Sequence, residues 1–144
     1  MNKRDKVLLQ MIYAEVKGGR EVILTLMPKL TDFTLRREAA VGLKVYGECA
    51  VMTERLIGEK QVRGVRFSVI ERLAVRGAAW VETAGVTDQE SLRQLLATSA
   101  FESAQRLCRE VASLGTGRRD EEVLTLGRRV AGGEMTVAER LHRI

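Results

Sequence analysis

Between Asp32 and Ile57 one side of the chain reads Leu35, Ala39, Gly42, Tyr46, Cys49, Thr53 and Leu56, alternating steps of four and three residues. An α-helix turns once every 3.6 residues, so this alternation keeps all seven side chains on one stripe. A stripe of that length is buried only by lying lengthwise against other helices. The neighbours it needs are present. From about Asp5 to Leu30 the positions Leu9, Ile12, Val16, Gly19, Ile23, Leu26 and Leu30 repeat the same steps. A stretch ending at Leu114 carries Leu96, Ala100, Ala104, Leu107, Val111 and Leu114 on one side, with small residues where helices approach closely. A last stretch from Arg119 or Asp120 carries Val123, Leu126, Val130, Gly133, Val137, Leu141 and Ile144, so the C-terminus is expected to dock. No stretch alternates with the period of two that a half-buried strand requires, and the pattern supports an all-α class.

The punctuation between these stretches sets the connections. The single proline, Pro28, biases Met27 away from helical geometry, and Thr31 or Asp32 can cap the helix that follows. Two long helices joined by so short a turn must lie antiparallel. After Ile57 the segment from Gly58 to Gly64 loses apolar periodicity, as a loop does. A shorter third helix is expected from Phe67 to about Thr83, patterned by Phe67, Ile70, Ala74, Gly77 and Val81 and carrying the only tryptophan, Trp80. Ala84-Gly85-Val86 breaks it. Thr87-Asp88-Gln89-Glu90 then reads as a capping box opening the fourth helix, and Gly115-Thr116-Gly117 closes that helix. Gly18-Gly19 and Gly132-Gly133 fall inside helices, where they suit close packing rather than ligand loops.

A chain of 144 residues is expected to form one domain, residues 1–144, with a core large enough to need no disulfide or metal. Its apolar runs are far shorter than the roughly 18 residues of a spanning helix, and the basic start has no apolar region behind it. Both features read as a cytoplasmic protein with no membrane association. The formal net charge of +5 invites a nucleic-acid reading. The pairs Arg36-Arg37, Arg118-Arg119 and Arg128-Arg129 lie in different segments among scattered acids, however, so nucleic acid is not the expected partner. Cys49 and Cys108 have no second cysteine or histidine at metal or redox spacing, and both are expected as buried free thiols.

Leu8-Leu9, Ile12-Tyr13, Gly19, Leu24 to Lys29, Leu35-Arg36 and Leu43 to Tyr46 resemble the first hairpin of small uncharacterised bacterial ferritin-like proteins, and the likeness extends more weakly through the rest of the chain. The resemblance implies a ferritin-like antiparallel four-helix bundle with an additional short helix in the central crossover. It also implies a place to look for metal, because metal-binding members build a di-iron site from a Glu on each of two helices and Glu-x-x-His on each of the other two. Here Glu48, Glu54 and Glu134 are followed three residues later by Val51, Ile57 and Val137. The one match, Glu139 with His142, uses the only histidine, at the chain end. A carboxylate-only set drawn from Glu15, Glu48, Glu102 and Glu134 is the remaining metal reading, that of a metal-binding protein or oxidoreductase, and Glu15, Glu48 and Glu134 are expected at the edges of their stripes. With no base for a catalytic triad and no phosphate loop after a strand, the expectation is a non-catalytic bundle without a cofactor. Such a bundle acts by association with itself or another protein, along an exposed strip near Phe67, Trp80 and Val81.

Overall fold

Each helix of this chain opens on a side-chain oxygen that accepts from a backbone N–H two or three residues on, which satisfies donors the first turn leaves unpaired. In the computed structural model, which describes residues 1–114 and 120–144, these caps are Asn2, Asp32, Ser68, Asp88 and Asp120. They open α1 (Lys3–Leu26), α2 (Phe33–Glu59), α3 (Val69–Glu82), α4 (Gln89–Leu114) and α5 (Glu121–Arg143). A short 3-10 turn, Met27–Lys29, carries Pro28 at the end of α1. No strand appears among the described residues. The turn expected at Gly115-Thr116-Gly117, the Arg118-Arg119 pair and the side chain of Leu114 lie outside them.

Two details of capping differ from expectation. Asp88, not Thr87, caps α4: its carboxylate accepts from the Ser91 N–H at 3.0 Å, and Glu90 turns to Arg93 instead of reaching back. A carboxylate one residue nearer the helix is the stronger acceptor and sits at the positive end of the helix dipole. The reciprocal box belongs to α3, where Ser68 accepts from the Glu71 N–H and Glu71 returns to Ser68. At the far end of α2, Val62 N–H reaches Ile57 O and Gln61 N–H reaches Gly58 O, a closing pair that puts Gln61 at a φ of 52°.

Residue pairs along the helices fix their directions. Ile23 of α1 lies by Gly42 of α2, and Tyr13 donates to Glu54 at 3.2 Å, so these two are antiparallel. α5 runs against α2: Tyr46 meets Glu134, and Lys60 meets Glu122 at 2.7 Å. α4 runs against α1, with Gln89 donating to Lys29 O and Arg106 beside Glu15. Arg93 of α4 donates to the carbonyls of Leu141 and His142 at the end of α5. The segment from Lys60 to Asp88 therefore travels the length of the assembly, and α3 lies within it, parallel to α1. Gln10 exchanges two hydrogen bonds with the Arg66 backbone at one end, and Lys29 donates to Thr83 at the other.

The seven-residue stripe of α2 is buried throughout. The stripes of α1 and α5 are buried except at Gly19 and Gly133, which are partly exposed, and at Ile144, which is exposed; α5 ends its contact at Leu141, held by Arg93. Ile70, Gly77 and Val81 of the row that patterns α3 lie on its outer side. Ile70 and Val81 are each 79% exposed, and α3 turns Val75 and Ala79 toward α1 instead. Charge sets this orientation: Arg72 and Arg76 both bind the buried Glu21 of α1, at 3.2 and 2.7 Å, and Lys29 sits over the Trp80 ring at 4.5 Å. An ionised carboxylate at a buried position must be paired, and that need outweighs burial of a modest apolar row.

Gly19 and Gly132 separate two uses of glycine. A Cβ on Gly19 would sit 2.5 Å from the Tyr46 ring, whereas one on Gly132 would meet nothing within 4 Å. Gly19→Ala is expected to destabilise the fold by about 1–3 kcal/mol through overpacking. Gly132→Ala is expected to stabilise it by roughly 0.5–1 kcal/mol through helix propensity. Urea midpoints of the two variants moving in opposite directions check both.

Candidate functional site

The inner row of α5 is Val123, Gly127, Val130, Glu134, Val137 and Leu141, again in steps of four and three, and a carboxylic acid stands in the middle of it. Glu134 is 0% exposed. The tyrosine in the buried stripe of α2 answers it: the Tyr46 hydroxyl donates to Glu134 Oε2 at 3.0 Å. Tyr46 reaches that point because Gly19 of α1 leaves its ring the space a side chain would fill. The other oxygen, Glu134 Oε1, is buried and has no hydrogen-bond partner among the described residues.

The remaining helices supply charge. Glu15 of α1 lies close enough to raise the proton affinity of Glu134. Arg106 of α4 pairs with Glu15 at 3.3 Å and donates to Ser103 Oγ at 3.2 Å. Burial is the main cause that pushes the Glu134 carboxyl up to about 8. The charge of Glu15 adds to it, while the Tyr46 hydrogen bond and Arg106 act the other way. Burial, then the neighbouring Glu134, holds the Tyr46 hydroxyl well above the ordinary phenol range. Cys49, one turn along α2, is pushed up to about 11 by burial and by Glu134. At neutral pH the centre thus consists of a neutral carboxylic acid, a phenol and a thiol, all protonated. Because Oε2 accepts from Tyr46, the carboxyl proton belongs on Oε1. Such a set stores a proton; it holds no ionised nucleophile or base.

A cleft of about 480 Å³ opens beside this centre between α1, α3 and α4, with Glu15, Gly18, Gly19, Phe67, Val75 and Arg106 in its walls. Gly19 forms the thin partition between the cleft and Tyr46. Glu15 and Arg106 both line the cleft and both act on Glu134, in opposite directions.

Of the four acids picked from the sequence, Glu15 and Glu134 come together. Glu48 and Glu102 are exposed, and among the described residues no three His, Cys, Asp or Glu side chains are grouped to hold a metal ion. Glu139 and His142 are both exposed near the end of α5. The expectation that Glu134 sits at the edge of its stripe is corrected. The row through Gly133 and Leu126 left it at the margin, while the row through Gly127 and Val130 runs straight through it, and the width of the apolar face around it was the readable signal. Cys108 also departs from expectation: Cys49 is buried and Cys108 is exposed. Tyr46, Arg106 and Ser103 were not singled out as polar partners, and only the fold brings them to Glu134 and Glu15. No family model, curated protein or solved structure matches this chain.

Two measurements check this description. An unfolded glutamate ionises near 4.5, so from there to about 8 the native chain carries one proton more than the unfolded chain. Stability therefore falls as pH rises through that window, by up to about 1.4 kcal/mol per pH unit, and is level again above it. Glu134→Gln is expected to remove this slope in urea melts taken from pH 5 to 9. Thiol titration with an aromatic disulfide at neutral pH is expected to find one fast cysteine, Cys108, in the native protein and two after unfolding.

Proposed function

We propose that this chain is a non-catalytic, ferritin-like four-helix bundle that acts by protein association, in the first instance with copies of itself. The bundle reading draws on the two antiparallel hairpins, α1 with α2 and α4 with α5, and on a crossover that runs their length and carries α3. The association reading is carried by one observation, the outward face of α3. Ile70, Leu73, Trp80 and Val81 are 79, 59, 54 and 79% exposed, with Val69 beside them. Single exposed apolar residues are ordinary, but five large ones on one 14-residue helix make a patch of the kind that marks a contact surface. Trp80 and Val81 belong to the strip read from the sequence. Phe67 does not, because it turns into the cleft under α3, and Ile70 and Leu73 take its place.

The competing idea of a carboxylate-only metal centre has less to stand on. It would rest on Glu15 and Glu134, with Glu48 and Glu102 facing away, and Glu15 is already paired with Arg106.

Light scattering on a size-exclusion column across a wide concentration range tests association. The expected mass rises above that of one 16.1 kDa chain as concentration increases. Leu73→Glu, a change at an exposed position, is expected to leave the helical circular dichroism intact and weaken association at least about tenfold, the cost of placing a charge in an apolar contact. A wild-type mass of one chain at the highest concentrations overturns the reading.

A further inference from the structure

The association reading names a face and leaves its partner geometry open, and the composition of α3 supplies it. Ile70, Leu73, Gly77, Trp80 and Val81 share the outward face, with Ala74 beside Gly77. Gly77 has open space where a side chain would be, so the helix backbone is bare at the middle of the row. Bulk is concentrated at both ends of the row and absent from its centre. Turning a second copy end for end about Gly77 sets Leu73 against Val81 and the exposed Ala74 against Trp80, so the largest side chain of the row meets one of the smallest, while Ile70 reaches past the end of the partner helix. A parallel partner would set Trp80 against Trp80 and Ile70 against Ile70, leaving the glycine level empty.

Charge favours the same arrangement. The exposed Arg63 and Arg66 lie in the connection just before α3, whose first-turn acid Glu71 is turned back to Ser68, and the exposed Glu82 ends the helix, with Asp88 beyond it at the cap of α4. Arg66 is held there by the two Gln10 hydrogen bonds. The other end is fixed through Lys29, which binds Thr83 and whose carbonyl accepts from Gln89. An antiparallel partner brings basic end to acidic end and opposes the two helix dipoles, while a parallel partner brings like ends together.

We propose that two copies of this protein pair through α3 in antiparallel fashion, about a two-fold axis at Gly77. The inference rests on the association reading and adds to it the orientation and the register. A 14-residue helix is about 21 Å long. One helix face of that length covers less than the roughly 800 Å² per partner of a stable interface, so the pair is weak and concentration-dependent.

Disulfide trapping tests this in the full chain, with the exposed Cys108 changed to Ser and the buried Cys49 retained. Under mild oxidation Gly77→Cys is expected to yield a covalent dimer. Val81→Cys alone is expected to give none, because its equivalents are then about eight helical residues apart along the contact, roughly 12 Å. An equal mixture of Leu73→Cys and Val81→Cys is expected to give the mixed dimer. Self-linking of Val81→Cys as readily as Gly77→Cys indicates a parallel pair and overturns the proposal. Association by light scattering without a link at any of these positions also overturns it, while leaving the association reading standing. A monomer throughout removes both.

Discussion

The hydrogen bond from Tyr46 to Glu134 is the constraint around which the interior is arranged. A carboxylic acid with no access to water is tolerated when it is neutral and its polar atoms find partners. Here one oxygen finds the phenol and the other finds nothing among the described residues. Three requirements follow, and the sequence meets each of them. The acid must keep its proton, which the low-dielectric surroundings and the nearby Glu15 ensure. The phenol must reach it across the interior, which Gly19 permits by presenting no side chain. The remaining charge must be neutralised at the margin, which Arg106 does by pairing with Glu15. An ordinary leucine at position 134 would need none of this, so the arrangement is a cost that the apolar rows above and below it offset.

Charge also governs the crossover. Left to its apolar pattern, α3 would turn Ile70 and Val81 inward. The buried Glu21 of α1 requires a cation, and Arg72 and Arg76 meet it only when the helix presents their side. The same rotation brings Thr83 and Trp80 to Lys29, which donates to one and lies over the other. The segment is then fixed to α1 through Gln10 and Glu21 and to the turn that follows α1 through Lys29, and the apolar row is left facing water. That surface results from satisfying a buried carboxylate, and it is the feature on which the association reading depends.

Most of the all-helical framework was readable in the sequence because long heptad rows have one cheap solution. The stripe of α2, from Leu35 to Leu56, is buried as its spacing requires, and the bounds of the four long helices fall within a few residues of those read from caps and glycines. Apart from the cap of α4, where Asp88 takes the place of Thr87 through contacts three residues away, the main differences concern residues whose position is decided by a partner far along the chain. Nothing local to α3 reveals that Glu21 will claim Arg72 and Arg76. Cys108 is the exception, because Cys49 lies on the stripe of α2 while Cys108 stands one residue off the row through Leu107. Glu134 is the instructive case, since its apolar neighbours at 130, 131, 137 and 138 were visible, yet a carboxylate is ordinarily assigned to the wet edge of a helix. Only Tyr46, 88 positions away, makes an interior place for it.

The direction of the crossover bears on how the chain assembles. The pairs α1 with α2 and α4 with α5 are neighbours in sequence, while the contacts joining the two pairs span more than half of the chain. Glu134 and Tyr46 belong to different hairpins, as do Glu15 and Arg106. The carboxyl can therefore be enclosed only where the two pairs meet, and its ionisation above about pH 8 opposes that contact rather than either pair alone.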